Sequence, residues 1–129
     1  MGMRAHVPRQ GQSGSREARM TSTQELRATW NRPGRIAVVE SPLGGPVVEL
    51  AAPGGTAKIA VQGAQVLSWI PSGHAEALWL SPVARLGTGK AVRGGIPICW
   101  PWFGPHPTEV LRPAHGFART AMWSVAAVD

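Results

Sequence analysis

Lys58-Ile59-Ala60-Val61-Gln62, then Gly63-Ala64, then Gln65-Val66-Leu67-Ser68-Trp69-Ile70, is the stretch whose reading decides the fold class. Polar and apolar residues alternate in the first run, a glycine interrupts it, and a second apolar run returns. That is the pattern of a strand, a turn and an antiparallel partner. Working outward, Ile36 to Glu40 is β-branched and ends at Ser41-Pro42, and Pro46 to Leu50 lies between Gly44-Gly45 and Pro53-Gly54-Gly55. Ala77 to Leu80 and Met122 to Val128 are two further strand candidates, the second running straight into Asp129. Six short strands, with 16 Gly and 12 Pro supplying the breaks between them, predict an all-β antiparallel sandwich or barrel. Only Thr23 to Trp30 offers a helical turn, and no repeat or heptad is evident.

The chain has 129 residues, enough for one small domain, and 43% of them are hydrophobic. Its charge is unevenly spread. The first 35 residues hold seven Arg against Glu17 and Glu25, a net of +5, whereas the other 94 hold six cations and five anions, a net of +1. The basicity therefore belongs to an N-terminal stretch and not to a folded face, which argues against nucleic-acid binding. Residues 1–20 are polar, rich in Gly, Ser, Arg and Gln, and without apolar periodicity, so they are expected to form a disordered tail. The folded unit is then 21–129, with Met20 a possible natural start.

One cysteine, Cys99, excludes an internal disulfide and suits a reducing compartment. Set between Ile98 and Trp100, it reads as a small buried hydrophobe. No run approaches the roughly 18 apolar residues of a membrane span. The expectation is a soluble, cytoplasmic protein with no membrane partner.

Residues 91–119 hold the chain's most concentrated chemistry. Arg93, Arg119 and His115 stand among glycines, prolines and the indoles of Trp100 and Trp102. Guanidinium groups bind phosphate and hydroxyl oxygens, glycines let backbone approach closely, and flat rings cover the apolar face of a sugar. Taken alone, each of these residues also has a plain reading: Arg93 as a solvated loop charge, His115 as a structural histidine, Arg119 as a surface cation, the tryptophans as packing. His74 in a Pro-Ser-Gly turn reads as exposed, and His106 as a rigid loop position. His106, His115 and Cys99 have no metal-ligand spacing, so no metal is expected. Glu109, the one nearby carboxylate, sits in a Pro-Thr-Glu loop with nothing to desolvate it and raise its pKa, which makes it a poor general base.

Leu78-Trp79-Leu80-Ser81, Lys90-Ala91-Val92-Arg93-Gly94-Gly95-Ile96-Pro97-Ile98-Cys99-Trp100-Pro101-Trp102-Phe103-Gly104 and His115-Gly116-Phe117-Ala118-Arg119, followed by Trp123, closely resemble the hexose-6-phosphate mutarotases. These are the glucose-6-phosphate 1-epimerases of the aldose 1-epimerase superfamily. Gly63 to Trp69 is similar to an early strand pair of the family, and the likeness runs from about residue 35 to 129. It implies the N-terminal portion of a galactose-mutarotase-like β-sandwich, from a family whose members are about twice as long.

The resemblance further implies an isomerase that interconverts the α and β anomers of a hexose 6-phosphate without a cofactor, as a monomer when full length. Arg93, Arg119 and Trp102 would bind substrate, and His115 would hydrogen-bond near the reacting end of the sugar. The family's general-acid histidine and glutamate base are expected beyond Asp129, so the chain looks cut short and is expected to be inactive alone. Two other readings stay open: a non-catalytic sugar-phosphate-binding unit, and the remnant of a truncated gene.

Overall fold

The computed structural model describes residues 2–5, 22–87 and 89–128. Its elements in chain order are β1 (Gly2–Ala5), α1 (Thr23–Trp30), β2 (Ile36–Ser41), β3 (Gly45–Ala52), β4 (Gly55–Ala60), β5 (Val66–Pro71) and β6 (Trp123–Ala127). β2, β3, β4 and β5 form an antiparallel meander in that order, and β1 pairs with β6 in a separate two-stranded sheet. The all-β antiparallel class read from the alternation is the one observed.

Each hairpin of the meander follows from its turn residues. Ser41-Pro42-Leu43-Gly44 closes with Gly44 N–H donating to the Ser41 carbonyl at 2.9 Å, and Gly44 takes φ of +93°, open to glycine without strain. Pro53-Gly54 joins β3 to β4 so tightly that Ala52 faces Gly55. β4 and β5 shift register between Lys58 and Ile59, which leaves Leu67 as the extra residue of a bulge.

Register sorts the side chains onto two faces. One carries Ile36, Val38 and Val48, covered by Leu26 of α1 and Val125 of β6. The other carries Val47, Ala60 and Leu67, covered by Ala84, Leu86 and Val92 from the long connection after β5. The core thus lies on both sides of one sheet, and the connection that forms half of it also carries Arg93.

β2 is an edge strand, and α1 protects it. Ser22 caps the helix by accepting from Glu25 N–H at 3.3 Å. From the end of the helix, the Asn31 side chain accepts from Val38 N–H at 2.7 Å, while Arg27 Nε donates to the Val38 carbonyl at 3.0 Å. The outer hydrogen-bonding positions at Val38 are thereby occupied, which blocks pairing with a foreign strand.

Two elements differ from the sequence reading. Ala77 to Leu80 forms no strand; Leu80 makes one isolated bridge to Gly94, and Ala77 N–H donates to the Trp69 carbonyl at 2.9 Å. Glu76 fixes this path, its carboxylate accepting from Trp69 N–H at 2.8 Å and Leu78 N–H at 3.0 Å and from the Ser68 hydroxyl. Gly2–Ala5, read as part of the tail, instead pair with β6. Residues 6–21 of that expected tail, and Met20 with them, lie outside the described residues. At the other end β6 stops at Ala127, short of the Asp129 to which its apolar run leads, and Asp129 also lies outside the described residues.

Candidate functional site

Arg93 sits on a loop held by two buried glutamines that flank the turn between β4 and β5. Gln62 donates through Nε2 to the Lys90 carbonyl at 2.7 Å and accepts at Oε1 from Gly87 N–H at 2.7 Å. Gln65, wholly buried, donates through Nε2 to the carbonyls of Gly94 at 2.6 Å and Val92 at 3.4 Å, the residues on either side of Arg93. Its Oε1 is buried without a partner. Buried amides in a low-dielectric interior are directional constraints, because misplacing them strands a polar group. The Arg93 carbonyl is itself fixed, accepting from Ser81 N–H at 3.1 Å.

The two glycines after Arg93 are required by close approach. A Cβ on Gly94 would lie 2.4 Å from the Trp79 carbonyl oxygen, and one on Gly95 2.1 Å from that of Val66. With its backbone pinned on both sides, Arg93 is left exposed and lines a cavity of about 360 Å³ together with Ser81, Arg85 and Lys90. Among the described residues, three cations and no carboxylate line this hollow, which suits an anion. His115, Arg119 and Trp102 are not among its lining residues.

Those three belong to an arch built on Trp100. The Trp100 carbonyl accepts from Phe117 N–H at 2.9 Å and Ala118 N–H at 3.3 Å, and the Trp100–Pro101 peptide is cis. Gly116, at φ +73°, lies so close that a Cβ there would sit 2.0 Å from the same oxygen. His115 takes φ of +66°, an uncommon conformation for a residue with a Cβ. A reciprocal pair with Gly104 holds it: His115 N–H donates to the Gly104 carbonyl at 2.7 Å, and His115 Nδ1 accepts from Gly104 N–H at 3.1 Å. An imidazole that accepts at Nδ1 carries its proton on Nε2 when neutral. His115 therefore has an Nε2–H donor left for a ligand oxygen.

Arg119 donates through Nη2 to the Ala114 carbonyl at 2.7 Å, tying the two ends of the histidine motif together. Trp102 is a packing residue of the arch: its Nε1 donates to the Pro113 carbonyl at 3.1 Å, and its ring meets His106 and Phe117 edge-on at 4.5 and 5.0 Å. Trp100, read from sequence as packing, has 67% of its surface exposed. Of the two indoles, Trp100 is the more exposed. Glu109 is bound to Arg112 Nε at 2.9 Å, and that hydrogen bond holds its carboxyl below the usual carboxylate range. A carboxylate so stabilised is a weak base.

The turn between β4 and β5 meets both groups of residues. Gln62 and Gln65 hold the Arg93 loop, and between them Gly63 packs against Arg119, where a Cβ would lie 2.6 Å from the Arg119 carbonyl oxygen. Gly63 N–H also donates to the Ala121 carbonyl at 2.8 Å. One turn thus references the cationic loop and the histidine arch to the same sheet. The glutamines escaped the sequence reading as site residues; the available signal was their polarity inside otherwise apolar flanks, Val61-Gln62 and Ala64-Gln65-Val66. Among the described residues no group of three or more His, Cys, Asp or Glu is brought together to hold a metal ion, and no helix is long and apolar enough to cross a membrane.

Residues 46–129 match the aldose 1-epimerase family. The chain belongs to that family. Among curated relatives of this aldose 1-epimerase family member, it is 54% identical over 69 residues to a protein of Escherichia coli named "Putative glucose-6-phosphate 1-epimerase". It is 55% identical over 71 residues to a protein of the same name from Salmonella typhimurium. These matches cover 54% and 55% of this chain but 23% and 24% of the relatives, so the chain spans about a quarter of their length. Among solved structures, a crystal structure of "a putative mutarotase" from Salmonella typhimurium superposes with a TM-score of 0.68 at 40% identity, over 75% of this chain and 32% of that one. Three quarters of this chain is therefore similar to a part of a larger fold.

Proposed function

We propose that this chain carries the sugar-phosphate recognition part of a hexose-6-phosphate 1-epimerase, with glucose 6-phosphate as the first substrate to test. Two separate observations support the reading: a hollow lined by Arg93, Arg85 and Lys90 with no carboxylate among the described residues that line it, and a histidine whose Nε2–H is left as a donor. A hexose 6-phosphate has a dianion at one end and a hemiacetal at the other. Guanidinium and ammonium groups take the first as charge-assisted hydrogen bonds, and an imidazole N–H donates to an oxygen of the second.

Anomer exchange requires the ring to open. A base removes the proton of the anomeric hydroxyl while an acid protonates the ring oxygen, and the open aldehyde turns and recloses. Both groups must reach the ring at once. His115 supplies one hydrogen-bonding group, while Glu109, held ionised by Arg112, is poorly suited to be the second. Each such group contributes roughly 100- to 10,000-fold. We infer binding by this chain alone, with negligible turnover.

Titration of the 129-residue chain with glucose 6-phosphate, followed by NMR, tests the reading. Saturable shifts at the amides around Arg93 and His115 are expected, together with loss of affinity in Arg93→Ala and no acceleration of anomer exchange over buffer. Affinity equal for glucose and glucose 6-phosphate, or unchanged in Arg93→Ala, would overturn the assignment of the phosphate end. Rapid exchange would overturn the inference of negligible turnover.

A further inference from the structure

Phe103 is a ring that the packing of the fold does not use. Its side chain is 81% exposed and belongs to neither of the two apolar clusters that make the core. Phenylalanine has no polar handle, so exposure brings it no hydrogen bond with water, unlike tyrosine or tryptophan. Its place is nevertheless fixed. The ring meets the His115 imidazole edge-on, with centroids 4.7 Å apart and planes at 77°. The next residue, Gly104, exchanges two hydrogen bonds with His115, one to the backbone N–H at 2.7 Å and one to Nδ1 at 3.1 Å. Those bonds tie the backbone beside Phe103 to the histidine whose Nε2–H is left as a donor. The two rings therefore form a corner, one wall flat and apolar, the other carrying an N–H.

We propose that Phe103 is the stacking platform for the sugar ring of the substrate. A single exposed apolar residue carries no message by itself; the corner with His115 gives this one its meaning. A pyranose has two kinds of surface, C–H bonds on its faces and oxygens around its rim. The face of a phenyl ring is the negative part of its quadrupole and attracts polarised C–H bonds, while an oxygen of the rim accepts from the imidazole N–H. Trp102, the ring expected from sequence to bind substrate, is engaged by Pro113, His106 and Phe117. Phe103 takes that role in its place. The inference rests on the reading of His115 as a sugar-binding donor and adds the apolar half of the same subsite, which favours a phosphate carried on a pyranose over a phosphate without one.

Titration of the 129-residue chain with glucose 6-phosphate and, separately, with inorganic phosphate tests it by NMR. In the unsubstituted chain the C–H protons of the bound sugar should move upfield in the ring current and show nuclear Overhauser contacts to the Phe103 ring. Phe103→Leu keeps the apolar volume without the flat face. It should lower the affinity for glucose 6-phosphate roughly 2- to 10-fold, the worth of an aromatic contact, and leave that for inorganic phosphate unchanged, whereas Phe103→Trp should bind glucose 6-phosphate as the unsubstituted chain does. Equal losses for both ligands in Phe103→Leu would assign Phe103 to the shape of the arch and overturn the proposal. Glucose 6-phosphate bound without contacts to Phe103 would overturn the platform alone and leave the sugar-phosphate reading standing. No binding by the unsubstituted chain would overturn that reading and the platform with it. The contacts in the unsubstituted chain decide the matter even where a variant folds poorly.

Discussion

The side-chain amide of Gln65 donates to the carbonyl of Gly94 at 2.6 Å, a contact that spans 29 residues of sequence and fixes the backbone just after Arg93. Gln65→Met keeps the length and apolar stem of the side chain but removes the donor, leaving the Gly94 and Val92 carbonyls buried without it. The expected loss is roughly 1–3 kcal/mol, the usual cost of a stranded buried polar group. Urea unfolding measures it. Because the same bond positions the Arg93 loop, the variant should also bind glucose 6-phosphate more weakly than its stability loss alone accounts for under conditions where it stays folded. Unchanged affinity in a folded Gln65→Met would separate the amide from the site.

Gly116→Ala tests the arch. At φ +73° with a Cβ position 2.0 Å from the Trp100 carbonyl oxygen, the new methyl meets rigid backbone. The backbone conformation alone costs roughly 1–3 kcal/mol, and the collision adds to it because no side chain can swing aside. Gly54→Ala is the control: nothing lies within 4 Å of its Cβ position, so its effect should stay within about 0.5 kcal/mol, as for an ordinary surface change. Comparable melting temperatures for the two variants would contradict the geometry.

The strands were legible because their information is local. Ile36 to Leu50 and Lys58 to Ile70 alternate or cluster β-branched residues between Gly and Pro breaks, and the observed meander follows those breaks. Ala77 to Leu80 misled because its apolar run is organised by Glu76, whose carboxylate captures the amides of Trp69 and Leu78 and replaces a strand ladder. The pinning of Arg93 was not legible either, since a hydrogen bond from Gln62 or Gln65 to a loop more than 25 residues away leaves no periodic trace. Trp100 and Trp102 look alike in sequence, and the Trp102 bond to Pro113 and its ring contacts with His106 and Phe117 distinguish the packed ring from the exposed one.

Glu76 makes the loop after β5 sensitive to acid. Its hydrogen bond from the Ser68 hydroxyl, then those from the amides of Trp69 and Leu78, lower its pKa from the ordinary value of 4.5. A carboxyl with a depressed folded pKa contributes stability that is fully present above 4.5 and is lost as the pH falls through the lower folded value. Thermal unfolding followed from neutral pH to below 4.5 should therefore show a drop that is smaller in Glu76→Gln, which has no titrating group there. Identical acid profiles for the two proteins would mean that the carboxylate contributes nothing to the fold.

His115 can be divided into its two nitrogens. Nδ1 accepts from Gly104 N–H at 3.1 Å and serves the arch, whereas Nε2–H is the group left for a ligand. In His115→Asn the amide oxygen takes the place of Nδ1, and asparagine tolerates the left-handed backbone at φ +66° better than other residues with a Cβ. Stability should stay within about 0.5 kcal/mol of the unsubstituted chain, the range of a mild surface change, while affinity for glucose 6-phosphate falls. His115→Ala loses the acceptor as well and should be both less stable and weaker in binding. Calorimetric titration beside urea unfolding reads the two effects apart. An Asn variant that binds as well as the histidine chain would assign His115 to structure alone.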